Sequence, residues 1–322
     1  MKDILKASYI QFYKVCYRTL KVLITKQKYD VVIIARHNNN VINYVKLYRG
    51  ETIGVITNNE DFRIFLQDDS RTKKIINYAP YNPVSIVRQI VLILQTKKIV
   101  IDDYYAPLFI IDRSKEVWNI WHSYAVYKKV GLLSPIYQRQ GAMTIKRYKR
   151  NYERIDKLFV RSTVEAAIFK ASYNVTADKI IIDKRFYASQ YANINQRETR
   201  SKTIIYAPTF RLYRYNFAAV YEHIQRSFPD YTVVARFHQK TLQDDPKLRA
   251  LHSPLPLYEL LTDAAIFMSD YSGLLIEISE LVHTIDVYQV LDAGDYMKYK
   301  ETNGLNERAY ATKLPSVQVD LN

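Results

Sequence analysis

Val31-Val32-Ile33-Ile34-Ala35, followed at once by Arg36-His37-Asn38-Asn39-Asn40, is the stretch on which the fold turns. Five consecutive apolar residues, four of them β-branched, describe a strand covered on both faces, as in a parallel sheet. Short apolar runs ending in polar loops recur at 52–56, 98–101 and 117–121, with helix-like stretches such as 84–94 between them. Beyond residue 153 the alternation resumes. Strands are predicted at 157–160, 179–182, 203–206, 231–235, 264–268 and 284–288, and helices at 162–171 and 217–228. Ser162 or Thr163 suits the cap of the first of these helices. Alternating strands and helices predict parallel sheets. The class is α/β, with two such domains of similar size facing each other across a cleft.

The chain has 322 residues, enough for about two domains, and 48% of them are hydrophobic. No apolar run approaches the ~18 residues of a membrane-spanning helix. The start, Met1-Lys2-Asp3, lacks the features of a secretory signal, and one cysteine, Cys16, excludes an internal disulfide framework. The default location is cytosolic. A net charge of +15 and 29 tyrosines point to an anionic partner: nucleic acid, a membrane surface or a phosphorylated substrate.

Residues 1–28 read as a separate basic amphipathic helix. Lys6, Lys14, Arg18 and Lys21 fall in one sector of roughly 120°, and Ile4, Leu5, Phe12, Val15, Cys16 and Leu23 in another. Such a helix suits an anionic membrane interface; the plainer alternative is a helix docked on the domain with its basic side in water. The stretch 134–152 is polar and basic, with Arg139, Lys146, Arg147, Lys149 and Arg150, and reads as an acceptor-side loop leading into a linker.

With seven glycines, the chain contains neither a GxGxxG nor a GxxxxGK[ST] pattern, which argues against a dinucleotide dehydrogenase and a P-loop ATPase. There is no HExxH and no CxxC. Asp102-Asp103 could hold a metal, although the flanking Lys97-Lys98 and Tyr104-Tyr105 favour a structural loop.

Four segments carry the chemistry. His122 follows a strand, and an imidazole with an ordinary pKa near ~6.5 can take a proton from a hydroxyl; a histidine merely buried beside Trp121 is equally compatible. Tyr206-Ala207-Pro208-Thr209-Phe210-Arg211 ends in an arginine. Arg236 and His238 alternate along an extended segment, so both reach one side and suit phosphate oxygens; a salt bridge from Arg236 to Asp244 or Asp245 is the alternative. Ser272-Gly273 opens a helix whose free N–H groups form an anion site, or simply caps it.

Trp121-His122 with Lys128-Lys129-Val130-Gly131, then Tyr206 to Arg211, Arg236-Phe237-His238, and Ser269-Asp270-Tyr271-Ser272 together resemble the CDP-glycerol glycerophosphotransferases. These are the teichoic acid primases and polymerases of Gram-positive bacteria, with relatives in capsule synthesis. The match runs from about Val31 to about Leu305, and Ile99 to Tyr105 resembles the primase branch. The chain departs from the family pattern at Tyr124, where small residues are usual, at Gln239, where proline is usual, and at His283-Thr284, where Lys-Pro is common.

The resemblance implies a GT-B-like fold of two Rossmann-type domains, with 29–152 as an acceptor-side domain and 153–322 as a donor-binding domain. It implies transfer of glycerol phosphate from CDP-glycerol, or ribitol phosphate from CDP-ribitol, to an undecaprenyl-diphosphate-linked saccharide, in a primase-like reaction that releases CMP. His122 and His238 correspond to the family's catalytic histidines. Arg211, Arg236, Ser272 and Gly273 would contact the donor diphosphate, Asp270 and Glu277 the nucleotide side, and Lys128 and Lys129 the acceptor side. No cofactor or obligatory metal is expected. The enzyme would sit peripherally on an anionic membrane surface, at the cytoplasmic face. The rival readings are a GT-B nucleotide-sugar glycosyltransferase, a fold-retaining scaffold without turnover, and a basic nucleic-acid-binding protein. The last lacks a helix-turn-helix, an RNP-type aromatic pattern or zinc spacing, so no nucleic acid is expected as a partner.

Overall fold

The computed structural model describes residues 2–37, 39–196, 201–306 and 314–319. The chain forms two compact units: Met1–Ser123 with Gln140–Ala188, and Tyr124–Arg139 with Ser189–Asn322.

The first unit is built on seven parallel strands: β1 (Tyr29–Ala35), β2 (Ile53–Thr57), β3 (Thr72–Ile76), β4 (Thr96–Ile101), β5 (Glu116–Asn119), β6 (Lys157–Val160) and β7 (Ile180–Ile182). Their order is β3-β2-β1-β4-β5-β6-β7. Its helices are α1 (Lys2–Leu23), α2 (Asn39–Leu47), α3 (Glu60–Phe65) and α4 (Pro83–Leu94). After α5 (Pro135–Gln138), which belongs to the second unit, come α6 (Ala142–Glu153) and α7 (Thr163–Tyr173). The run 31–35 is the central strand, paired to β2 on one side and β4 on the other, and all five side chains are buried. That two-sided burial is why the run shows no polar alternation.

The second unit holds β8 (Thr203–Tyr206), β9 (Thr232–Ala235), β10 (Ile266–Ser269), β11 (Asp286–Asp292) and β12 (Ser316–Val319), in the order β12-β11-β10-β8-β9, all parallel. Helices α8 (Phe217–Ser227), α9 (Gln239–Asp244), α10 (Leu257–Asp263), α11 (Gly273–Leu281) and α12 (Ala293–Asn303) complete it. Ile204, Tyr206, Val220, Ile224 and Met268 pack in a core on one side of the sheet; Ile205, Phe267, Leu275 and Ile278 pack on the other.

The α/β class with two parallel sheets is as expected, but the partition differs. The expected boundary at 152/153 falls inside the first unit, because β6 pairs with β5 at Trp118↔Lys157 and Asn119↔Leu158 and carries β7 with it. The stretch 134–152 is largely helical rather than a loop. Thr144, Tyr148, Asn151 and Tyr152 make its buried stripe, and a stripe of tyrosines and small polar residues does not register as apolar periodicity. Strand β3 was also missed, because Lys73 and Lys74 are exposed on this edge strand. Ser162 caps α7, as its position suggested.

Helix α1 is part of the first unit rather than a separate element. Tyr9, Tyr13 and Tyr17, four residues apart, form its buried stripe. The Tyr17 hydroxyl donates to Asp112 at 2.7 Å, and Tyr13 meets Tyr105 edge-on at 6.4 Å. With tyrosines filling the contact, Leu5, Phe12, Val15, Val22 and Leu23 are left exposed, Val22 at 78%.

Candidate functional site

In an open parallel sheet, ligands bind beyond the carboxyl ends of the strands where the strand order reverses. In the first unit that point lies between β1 and β4. The residues arriving there are Arg36 and His37 after β1, Asp102 and Asp103 after β4, and His122, three residues after the end of β5.

Asp102 is buried, and its carboxylate accepts the backbone N–H groups of Arg36 (3.0 Å) and His37 (2.7 Å). It thereby fixes the β1 loop. Burial pushes its carboxyl up to about 7, against the pull of those N–H groups. The backbone carbonyl of Asp102 lies 3.1 Å from His122 Nδ1. A carbonyl only accepts, so Nδ1 carries the proton and the lone pair of Nε2 stays available. The His122 ring stacks on His37 at 3.9 Å and 20°, and lies tilted at 34° against Trp121 at 4.1 Å. Burial first, and then the neighbouring His37, push the His122 imidazole down to about 4.

Trp121 holds a left-handed backbone, φ 53°, which is uncommon for a bulky residue and stores about 1–3 kcal/mol. The conformation is clamped from both sides. Its N–H donates to the buried Asn119 side chain at 2.8 Å, and Asn40 donates to the carbonyls of Ile120 (3.1 Å) and Trp121 (3.3 Å). The strained turn re-aims the chain so that His122 comes to lie over the end of β1 against His37.

His37 Nε2 lies 3.8 Å from the Asp103 carboxylate. Burial would lower the His37 pKa, but Asp103 and Asp102 raise it above its ordinary value. Burial would raise Asp103, but His37 and His122 hold it below the carboxylate range. The ligating atoms of His37, Asp103 and His122 lie within 4.8 Å of one another. Nearly parallel stacked rings point their in-plane lone pairs along parallel planes, whereas a tetrahedral ion needs them to converge. The arrangement suits a base and its supporting neighbours.

In the second unit the reversal lies between β8 and β10. The loop after β8 brings Thr209, Phe210 and Arg211; the turn after β10 brings Asp270 to Gly273. Ser272 caps α11 by accepting the N–H of Leu274 at 3.2 Å. A Cβ on Gly273 would stand 2.8 Å from the carbonyl oxygen of Ala125, so glycine lets the helix start approach the 124–139 segment.

That segment corrects the expectation for Lys128 and Lys129. Both belong to the second unit rather than to an acceptor-side domain. Lys129 N–H donates to the Gly304 carbonyl (3.1 Å), and the Asn306 side chain donates to the carbonyls of Val126 and Lys128 at 2.9 Å. The Lys128 ammonium sits 5.8 Å from the Phe210 ring centroid. Lys240, missed from the sequence, sits 5.1 Å from the same ring, and His238 packs on it at 5.0 Å. Three cationic or protonatable groups thus gather at Phe210. Burial pushes the Lys128 ammonium down to about 8, although Asp270 opposes it; burial, then Lys128 and Lys240, lower His238.

Arg211 and Asp270 are also placed differently from expectation. The Arg211 side chain is buried and bound to Asp295 through Nε (3.0 Å) and Nη2 (2.6 Å), to Asp270 through Nη2 (2.7 Å), and to the Thr209 carbonyl through Nη1 (2.5 Å). Asp270 also accepts from the N–H groups of Thr209 (2.9 Å) and Tyr271 (2.6 Å). A guanidinium so engaged builds the loop walls and does not present a free fork to a diphosphate. Arg236 Nη1 lies 2.8 Å from His252 Nε2, not against Asp244 or Asp245, and Phe237 N–H donates to His252 Nδ1 at 3.1 Å. His238 caps α9, its Nδ1 accepting from Lys240 N–H at 3.1 Å. Glu277 is partly buried in the second turn of α11.

His37 was legible only as part of a polar loop at a strand's carboxyl end, which was the available signal. Asp295 and His252 carried none, since each acts through a partner distant in sequence.

The model of one protein family, CDP-glycerol:poly(glycerophosphate) glycerophosphotransferase, matches residues 22–317. The teichoic acid glycerol-phosphate primase of Bacillus spizizenii is 25% identical over 267 residues, covering 76% of this chain and 68% of the relative. The primase of the same name from Bacillus subtilis is 26% identical over 254 residues, covering 73% of this chain and 65% of the relative. The chain thus spans about two thirds of the length of these relatives. A solved structure of the wall teichoic acid polymerase TagF superposes with a TM-score of 0.62 at 16% identity, over 94% of this chain and 80% of that one.

Proposed function

Because the chain belongs to the CDP-glycerol:poly(glycerophosphate) glycerophosphotransferase family, we propose that it transfers glycerol phosphate from CDP-glycerol to a hydroxyl of a lipid-linked saccharide, in a primase-like step of teichoic acid or capsule-type synthesis. The observation that carries the reading is His122, at the switch point of the first sheet, with Nδ1 fixed by a carbonyl and Nε2 without a hydrogen-bond partner among the described residues. His122 takes the proton of the acceptor hydroxyl. The oxygen bonds to the β-phosphorus, the bond from that phosphorus to the bridging oxygen breaks, and CMP leaves. On the donor side, Lys128, His238, Arg236 and the N–H groups at Ser272-Gly273 offset the charge that grows on the diphosphate. Glu277 serves the nucleotide side and Lys129 supports the Lys128 backbone. Arg211 and Asp270 hold the donor loops.

The test is CMP release by purified protein from CDP-glycerol and from CDP-ribitol, with a lipid-linked saccharide acceptor. Acceptor-dependent release from CDP-glycerol, at a kcat/KM at least tenfold above CDP-ribitol, is expected; the reverse order makes the donor CDP-ribitol. Lys128→Gln should raise the donor KM roughly ten- to hundredfold, the scale of a hydrogen bond to a charged group. An unchanged donor KM would remove Lys128 from the donor site.

Peripheral attachment to the cytoplasmic face of an anionic membrane is part of the proposal. The exposed Leu5, Phe12, Val15, Val22 and Leu23 share α1 with Lys14, Arg18 and Lys21, while tyrosines dock the helix. No helix among the described residues is long and apolar enough to cross a membrane. Co-sedimentation with phosphatidylglycerol vesicles should fall at least tenfold for Val22→Asp/Leu23→Asp, since each buried apolar side chain contributes about 1.5–3 kcal/mol. Equal sedimentation of both proteins would locate any membrane contact elsewhere.

A further inference from the structure

The first unit carries a cavity of about 540 Å3 that no part of the reaction described above uses. It opens between the end of β3 and the first turns of α4, and Arg63, Lys74 and Arg88 line it with Asn77, Ala79 and Val84. Arg63 is held by Asn77 (Nη1 to Oδ1, 2.5 Å) and lies 3.5 Å from Glu60. Among the described residues, neither Lys74 nor Arg88 is in an ion pair. Three cations therefore line one cavity against one carboxylate, and such a cavity attracts a multivalent anion.

Two connections define what kind of anion. On one side, Asn77 continues into Tyr78, whose hydroxyl accepts from Arg36 Nη2 at 3.4 Å; Arg36 in turn lies 3.8 Å from Asp103, beside the stacked His37 and His122. Strand β3 is two positions from β1, so at ~4.8 Å per strand the two strands, and the loops that carry Asn77 and His37, are spaced about 10 Å apart in the sheet. On the other side, the loop between β3 and α4 carries Tyr81, 63% exposed, whose ring meets Tyr9 of α1 edge-on at 5.9 Å. Helix α1 packs on α4 and exposes the apolar residues named above. A cationic cavity with a base on one flank and an exposed apolar helix on the other fits a ligand with an anionic head and a lipid tail.

We propose that this cavity binds the diphosphate of a lipid-linked acceptor, with Arg63, Lys74 and Arg88 as its cationic contacts. The proposal rests on the reading of the acceptor as lipid-linked, and it deepens that reading by naming the subsite.

Direct binding tests it independently of turnover. The probes are farnesyl diphosphate, inorganic diphosphate and phosphatidylglycerol vesicles, each titrated into the full chain and into Arg63→Gln/Lys74→Gln/Arg88→Gln. These side chains line an open cavity, and the circular-dichroism spectrum and thermal melt of the same samples report on their folding. Farnesyl diphosphate should bind the native chain at least tenfold more tightly than inorganic diphosphate does, and the triple variant should lose tenfold or more of that affinity, with vesicle binding retained. An unchanged affinity in the triple variant overturns the site. Inorganic diphosphate binding as tightly as the prenyl form overturns the lipid assignment. Loss of vesicle binding in parallel makes the cations a general membrane contact and also overturns it. Absence of CMP release with every acceptor would instead defeat the transfer reading, and the binding result would stand apart from it.

Discussion

His122→Gln is expected to lower acceptor-dependent CMP release by roughly 10²–10⁴-fold, the range for loss of a positioned general base, while donor affinity stays within about twofold. Glutamine keeps a polar group of similar reach but has no basic nitrogen. Donor affinity is spared because His122 belongs to the first unit and the donor groups named above to the second. The pH profile gives a second readout. As the proposed base, His122 has to be unprotonated, and burial with the adjacent His37 pushes its imidazole down to about 4. His122 is therefore neutral across the range in which a free imidazole titrates, and under the proposed role activity should persist as pH falls below ~6.5, with the acid limb nearer 4. An acid limb at 6.5 or above, or a near-native rate for His122→Gln, would remove this residue from the base role.

Arg211→Met should have the largest effect on stability. One guanidinium faces two buried carboxylates, Asp270 and Asp295, and the Lys128 ammonium interacts with Asp270 to offset the remaining negative charge. Around it stand the rings of Tyr299 (4.7 Å), Tyr215 (4.9 Å) and Tyr271 (4.9 Å). Methionine fills much of the volume but removes the guanidinium that both buried carboxylates share, and the Lys128 ammonium cannot offset two negative charges. Breaking a buried pair in this way costs about 3–5 kcal/mol. For a unit of this size that lowers the melting temperature by roughly 6–20 °C. The rival expectation, in which Arg211 touches the donor, gives a different pattern: a normally stable protein that has lost donor binding. Thermal melting of Arg211→Met, with and without CDP-glycerol, separates the two.

Much of the architecture is local in origin and so was legible. Continuous β-branched runs at 31–34, 99–101 and 203–205 have few ways to bury both faces other than the inside of a parallel sheet. His122 and the Ser272-Gly273 helix start were marked by their positions after such runs. Strand β3 and helix α6 were not legible, because exposed lysines and buried tyrosines reverse the polarity signal on which periodicity depends.

Side-chain partners were a matter for the tertiary structure. Whether Arg211 meets a phosphate or a carboxylate depends on Asp295, 84 residues away, and nothing near Arg211 in the chain announces it. Lys128 lies in the N-terminal half of the sequence but folds with the second unit, because the 124–139 segment bonds to 304–306. His37 becomes a neighbour of His122 only because β1 and β4 are adjacent and a strained turn at Trp121 carries the chain from β5 back over them. The sequence by itself determined where strands end and which polar groups stand there, since those follow from spacing and burial along a few residues. The tertiary structure decided which of those groups are consumed by one another and which remain free for a substrate, since charge compensation depends on what the fold brings within a few ångströms.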